Sequence, residues 1–332
     1  MTSKEEVLLI TGPTGFVWFK TLLIALEAGH TVRAVIRRAE QAKKLQTHPK
    51  IAPYASKVEF AVLPDLTSAG AFDDKLEGVV AVLHIASPLA AESDDYDRDI
   101  IDPAVQICTS MLQSATKAPS VTRVVITSSM VTDRIYTTSD INSDPSRAVS
   151  SSMEAYCLSK ALARVAARDF MAAHKLHFDV VQLLPGVIIG PDDRAENITD
   201  LKNNTPLWDL KLSSVLGHQQ PYPMVGVPIH VADVARAHVD AVKASVSGNK
   251  DYLLAAGYPD GVAWDSMIDV ARRHFPRHCG SKILPLGGTL PTTRWKVDCE
   301  DTERTFGWKF CSFDDTMEES IRQYLELLDV KG

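Results

Sequence analysis

Up to Pro185, short runs rich in valine and isoleucine alternate with stretches of helical periodicity, and this rhythm constrains the fold more than any other feature. Val7–Thr11, Thr31–Ile36, Val58–Val62, 79–86, Arg123–Thr127 and 178–184 read as strands. Phe16–Glu27, 39–45, 103–116 and the run AYCLSKALARVAARDFMAAHK read as the helices between them. Strands alternating with helices predict an α/β chain with a parallel, doubly wound sheet. The strands are apolar along their whole length, as in sheets covered on both faces.

The rhythm breaks after Pro185, where Pro, Gly and Asn become frequent over 186–228. The run HVADVARAHVDAVKA reads as a helix and YLLAAG as a strand, both returning to the sheet pattern, and a last helix fits 312–328. The expected organisation is a doubly wound domain from 1–186 and 221–256, with a smaller C-terminal lobe from 187–220 and 257–332.

The chain has 332 residues, 45% hydrophobic and 23% charged, which is enough apolar material for a sizeable core. A net charge of -7 without a long Lys/Arg run argues against a nucleic-acid partner. The charged start MTSKEE leads into a short apolar run and a glycine turn, so no secretory leader is expected. No apolar stretch reaches the roughly 18 residues that span a bilayer, so no membrane partner is expected. The five cysteines are scattered, odd in number and without CxxC spacing. That pattern predicts free thiols in a reducing, cytoplasmic setting, and no metal site.

Three local patterns carry chemistry. TGPTGFVW follows the first strand and opens the first helix. Glycines there let backbone amides approach a pyrophosphate at the helix N-terminus, which makes Gly12, Thr14, Gly15, Phe16 and Val17 candidate dinucleotide contacts. An ordinary strand-to-helix turn is the plainer alternative. AVIRRAEQAKKL puts Arg37, with Arg38, at the end of the second strand, where a 2′-phosphate is read; this points to NADP(H). A solvated surface arginine reads equally well. In AYCLSK, Tyr156 and Lys160 are four apart on a predicted helix and share a face. An ammonium near a phenol favours the phenolate, which fits Tyr156 for acid–base work. Upstream, VVITSSM ends a strand with serines, and Ser129 is placed to hold a substrate oxygen, although serines at a strand end are also turn formers.

Together these motifs resemble the extended short-chain dehydrogenase/reductase superfamily over nearly the whole chain. Its carriers here are TGPTGF, VLHIASPL, DPAV, RVVITSS, AYCLSK, LLPGVIIGP, IHVADVARAH and FGWKF. The chain is similar to the group that holds yeast methylglyoxal (isovaleraldehyde) reductase, dihydroflavonol reductases and cinnamoyl-CoA reductases. The resemblance makes these a Rossmann-like domain with a seven-stranded sheet and a substrate lobe, and implies hydride transfer from NADPH to the carbonyl of a small hydrophobic substrate. It implies that Ser129 polarises the oxygen and Tyr156 delivers the proton. Lys160 would lower the Tyr156 pKa and hold the nicotinamide ribose. It places Asp65 and Leu66 beside the adenine, Ala86, Ser87 and Pro88 beside the cofactor, and Pro185, Gly186 and Val187 beside the nicotinamide. Pro88, Met130 and Val131 are candidates for an apolar substrate pocket, with Leu89, Trp208 and Leu212. Monomer and homodimer are both compatible with the sequence.

The chain departs from that pattern at four places. Trp18 stands where the family carries Gly or Ala, and brings roughly 150–250 Å² of surface into a slot meant for almost none. Pro13 removes an amide from the phosphate-facing turn. Ile107 and Ser110 replace a Gly and an Asn. The segment between Ser129 and Tyr156 lacks a Glu-x-x-Trp-like stretch. These departures leave three functions open. The first is an NADP(H)-dependent carbonyl reductase. The second is a cofactor-independent dehydratase, isomerase, lyase or cyclase using Tyr156, with the dinucleotide site impaired by Trp18 and Pro13. The third is a non-catalytic ligand sensor.

Overall fold

The computed structural model describes residues 6–12, 15–130 and 149–328. Pro13, Thr14 and Val131 therefore lie outside the described residues, as does most of the segment between Ser129 and Tyr156.

The first half builds strand and helix in turn. Its elements are β1 (Val7–Thr11), α1 (Phe16–Glu27), β2 (Thr31–Ile36), α2 (Glu40–Gln46), β3 (Val58–Val62) and β4 (Val79–His84). There follow α3 (Asp102–Thr116), β5 (Arg123–Thr127), α4 (Ser152–Ala173) and β6 (Asp179–Pro185). The second half contains β7 (Val187–Ile189), α5 (Ile198–Asn204), α6 (Trp208–Lys211), α7 (Ser213–Leu216), β8 (Met224–Val225) and β9 (Pro228–His230). It closes with α8 (Val231–Asp240), β10 (Lys250–Leu254), α9 (Met267–His274), β11 (Thr292–Thr293), α10 (Glu300–Phe306) and α11 (Phe313–Leu327).

Seven strands form one parallel sheet in the order β10-β6-β5-β4-β1-β2-β3. The chain winds outward from β1 through β2 to β3, then crosses back to β4 on the other side of β1. In open α/β sheets ligands bind outside the carboxyl ends of the strands at such a reversal, here between β1 and β4. The doubly wound α/β class read from the alternation is the observed one.

One strand end and one helix end differ from the sequence expectation for visible reasons. The strand expected over 79–86 stops at His84, because the Ala86 amide leaves the ladder and donates to Thr11 Oγ1 at 3.2 Å. The helix expected to run on through HVADVARAHVDAVKA stops at Asp240. Beyond it the chain folds around Arg123, whose Nη1 donates to the carbonyls of Ala241, Lys243 and Val246 at 2.8, 2.9 and 2.9 Å. A buried guanidinium collects carbonyls that a continuing helix would have used internally.

By its contacts the chain divides into two units. One takes in the described chain up to Leu184 together with Ala235–Tyr252, and the other takes in Pro185–Val234 and the chain from Leu253. The first unit's core joins Leu9, Val35, Val82, Val124 and Val180 from one face of the sheet with Met111 and Leu112 of α3. A second feature of that unit holds α4. Arg164 Nε and Arg168 Nη2 both donate to Asp251 Oδ2 at 2.8 Å, and Arg164 and Asp251 are only 6% and 9% exposed. Breaking a buried ion pair by removing one partner leaves an uncompensated charge. Asp251→Asn is therefore expected to lower unfolding stability by about 3–5 kcal/mol, read from urea denaturation midpoints. A loss indistinguishable from that of an exposed substitution would contradict this account.

The second unit has its own core around Trp264, Met267, Phe313, Met317 and Ile321. Trp264 is fully buried with its Nε1 donating to Val225 O at 3.0 Å. Two small parallel pairs, β7 with β9 and β8 with β11, complete it. Trp208 and Leu212 are 6% and 2% exposed and belong to this core.

Candidate active site

The turn after β1 is shaped by contact with the end of β4. Gly12 has φ +104°, and a Cβ there would lie 3.0 Å from the Ala86 nitrogen. Only glycine combines that backbone with that approach. The Gly15 amide donates back to Gly12 O at 3.3 Å, and Gly15 itself is exposed at the N-terminus of α1. Phe16 is buried and Val17 half-buried.

Trp18 is 0% exposed. An indole lying in a solvent-open crevice would keep part of its surface in water, and this one keeps none. The side chain is therefore absorbed into the packing of α1, with its Nε1 lacking a hydrogen-bond partner among the described residues. The steric conflict expected from the sequence is thus relieved inward. Ile107 and Ser110 are accounted for in the same way. Ile107 is buried in the core, and Ser110 Oγ donates to Ser68 O at 2.7 Å, tying α3 to the loop after β3.

Arg37 and Arg38 follow β2 and are exposed, with both backbone amides donating to Gln41 Oε1 at 3.0 Å. Their guanidinium groups form no ion pair among the described residues, so both cations face water. Asp65 spends its carboxylate on the local turn, accepting from the Thr67 amide, Thr67 Oγ1 and Ser68 Oγ at 2.8, 2.7 and 2.5 Å. The bonds from Ser68 and Thr67 hold its carboxyl below the usual range. Leu66 points into the core at 5% exposure. Ala86, Ser87 and Pro88 are half-buried on the irregular segment after β4, while Leu89 is 67% exposed. Pro185 ends β6 and Val187 opens β7, both in the second unit.

Helix α4 begins with a cap. Ser151 accepts from the Glu154 amide at 3.2 Å, and Glu154 Oε2 accepts from the amide and hydroxyl of Ser150 at 2.8 and 2.7 Å. The first bond satisfies an orphan donor of the helix and the other two fasten the residue before the cap, which together set where the helix starts. One turn on, Tyr156 and Lys160 share a face, with Lys160 Nζ 5.7 Å from the centre of the Tyr156 ring. Ser129, half-buried beyond β5, hydrogen-bonds the Tyr156 hydroxyl. The next residue, Met130, is buried. The structure thus brings Ser129, Tyr156 and Lys160 into one group.

Their electrostatics differ from the sequence expectation. Desolvation pushes Tyr156 up to about 12, the neighbouring Cys157 adds to this, and the Ser129 hydrogen bond opposes it. Tyr156 is therefore a protonated phenol at neutral pH and not a phenolate. Burial pushes Lys160 down to about 8, opposed by Cys108. Its Nζ donates to the Thr127 carbonyl at 3.3 Å.

Sequence reasoning passed over a set of polar groups behind Lys160. His84 ends β4, is 2% exposed, and its Nδ1 is 3.0 Å from Thr11 Oγ1. Desolvation drives it down to about 3, with Lys160 acting in the same direction, so its imidazole is neutral. Thr127 Oγ1 lies 2.6 Å from Nε2 of His238, which is fully buried on α8. The signal was available: a histidine inside the apolar run VVAVLH, and a second in VARAH at a helical interior position.

A reversal point beside β1, a glycine-shaped turn and a Ser–Tyr–Lys group on one strand and one helix define a Rossmann-type enzyme of the extended short-chain dehydrogenase/reductase class. Residues 8–255 match the family described as the NAD dependent epimerase/dehydratase family, and the chain belongs to it. It is 32% identical to ketoreductase CTB6 of Cercospora nicotianae, covering 97% of this chain and 96% of that one. It is 29% identical to ketoreductase sphI of Aspergillus fumigatus, covering 98% and 99% of the two chains. In structure it is similar to yeast methylglyoxal/isovaleraldehyde reductase Gre2 complexed with NADPH, with TM-score 0.81, 22% identity, and 98% and 100% of the chains covered. Among the described residues no helix is long and apolar enough to cross a membrane.

Proposed function

We propose that the protein is an NADP(H)-dependent reductase of ketones or aldehydes, acting on a small hydrophobic carbonyl substrate. The observation that carries this reading is the grouping of a protonated Tyr156, hydrogen-bonded to Ser129, with a buried Lys160. A carbonyl being reduced needs an acid at its oxygen, and Tyr156 is in its acid form. The ketoreductase relatives support the same reaction class, and the cofactor-independent alternative is not favoured.

The residues present fit the nucleotide. Gly12 leaves a cradle that a Cβ would fill, Gly15 opens a helix N-terminus to an anion, and Trp18 is withdrawn into the protein. Gly12, Gly15, Phe16 and Val17 would hold the pyrophosphate, with Arg37 on the 2′-phosphate. Asp65 and Leu66 would shape the adenine loop through their backbone. Ala86 and Ser87 would line the rest of the nucleotide. Pro88 and Met130 would face the substrate. When bound, NADPH would supply hydride chemistry at the carbonyl carbon. The hydroxyls of Ser129 and Tyr156 bind the carbonyl oxygen, and the Tyr156 proton passes to that oxygen as negative charge develops. The Lys160 ammonium then stabilises the phenolate left behind.

Two expected results test this. Wild-type protein should bind NADPH and oxidise it in the presence of isovaleraldehyde. Arg37→Ala should weaken NADPH about ten- to a hundredfold, the worth of a hydrogen bond to a charged group, and leave NADH unchanged. Fluorescence titration reads both, and the absence of NADPH binding by the wild type would overturn the reading. A second result concerns pH. Lys160 loses its proton as pH rises through about 8, whereas a free lysine would keep it to 10.5. The phenolate would then form beside a neutral amine, so kcat/KM for reduction is expected to fall above about pH 8. A profile flat to pH 10 would remove the ammonium from the mechanism.

A further inference from the structure

Lys160 is held by an unusual acceptor. The last residue pair of the β4–β5 ladder is His84 with Ile126, so the Thr127 carbonyl lies one residue beyond the strand that would have bonded it. On the other side of the same peptide unit, the Ser128 amide donates to Leu183 O at 2.8 Å. In a trans peptide the amide and carbonyl point in opposite directions. The bond to β6 therefore aims the Thr127 carbonyl away from β6, and the Lys160 ammonium takes it at 3.3 Å.

The Thr127 side chain is pinned as well, by the 2.6 Å contact with His238 Nε2. His238 is fully buried on α8, so its ring is fixed by the surrounding packing. Ser129, which bonds Tyr156, lies only two residues further on. One strand-end threonine thus sits between a buried imidazole and both partners of the catalytic phenol.

We infer that His238 and Thr127 are positioning residues, which set the placement of Lys160 and Ser129 against Tyr156 through the Thr127–His238 hydrogen bond. The inference rests on the proposed role of the Ser129–Tyr156–Lys160 group. Neither residue need touch the substrate. Their effect is on alignment, and small misplacements of a catalytic group are costly: about 1 Å can reduce turnover about a hundredfold.

The test uses the full chain with saturating NADPH and isovaleraldehyde as the probe. Thr127→Val keeps the shape and deletes the hydroxyl, and is expected to lower kcat about ten- to a hundredfold with KM within about twofold. Thr127→Ser restores the hydroxyl and is expected to recover most of the rate. His238→Leu should match Thr127→Val, and the double variant should be no worse than either, as residues acting through one bond are not additive. Unchanged kcat in Thr127→Val, equal losses in Thr127→Val and Thr127→Ser, or additive losses in the double variant would each overturn the inference. Should Thr127→Val not fold, His238→Gln carries the same test, because its amide reaches the hydroxyl with a different geometry. A fall in kcat at constant KM then supports the inference and an unchanged kcat overturns it. The Lys160 Nζ resonance in lysine-labelled protein gives a readout independent of activity. It should move in Thr127→Val or His238→Gln and not in Thr127→Ser. If the wild type fails to reduce the probe, the reductase reading is what falls, and this resonance still decides the positioning role: an unmoved signal overturns it.

Discussion

Tyr156→Phe is expected to fold with wild-type stability and to lose carbonyl reduction by about a hundred- to ten-thousandfold in kcat, the range a positioned general acid contributes. The substitution keeps the ring, and with it the surface that the Lys160 ammonium faces at 5.7 Å. It removes one hydroxyl and its bond to Ser129. NADPH affinity should change little, because the lost atom serves the oxygen of the substrate. The measurement is steady-state NADPH oxidation with isovaleraldehyde, paired with a thermal melt and an NADPH titration. Full turnover in that variant would take the proton donor away from Tyr156.

Trp18→Ala is expected to lower stability by about 3–5 kcal/mol, as emptying a fully buried aromatic site does. NADPH affinity should stay within about threefold, since the indole is 0% exposed and packed away from solvent. Trp18→Phe should cost less, because the indole Nε1 has no hydrogen-bond partner among the described residues and an unpaired buried donor is itself destabilising. Urea unfolding and nucleotide titration of the two variants separate the effects. If Trp18→Ala instead tightened NADPH more than about tenfold at little cost in stability, the ring would have been occupying the nucleotide's space.

Much of the first unit was legible in the sequence. Parallel strands in the middle of a covered sheet are largely apolar, and β1, β2, β3 and β5 have the bounds that the alternation of strand and helix predicts, although the edge strand β3 leaves Glu59 and Val62 exposed. Tyr156 and Lys160 were equally visible, since four-residue spacing on a helix fixes a shared face. Less was legible after Pro185. There β7, β8, β9 and β11 are two or three residues long, and α5, α6 and α7 span only 7, 4 and 4 residues. Elements that short have no period to read and exist because neighbours hold them.

Local order in the chain determined the doubly wound sheet, the glycine turn and the Tyr–Lys face, because each follows from periodicity or spacing over a few residues. The tertiary structure alone decided that Trp18 turns inward, that desolvation raises the Tyr156 phenol instead of lowering it, and that Lys160 leans on a carbonyl whose residue is pinned by His238. Those outcomes depend on burial and on contacts between residues up to 111 positions apart, and neither quantity is a property of any short stretch of sequence.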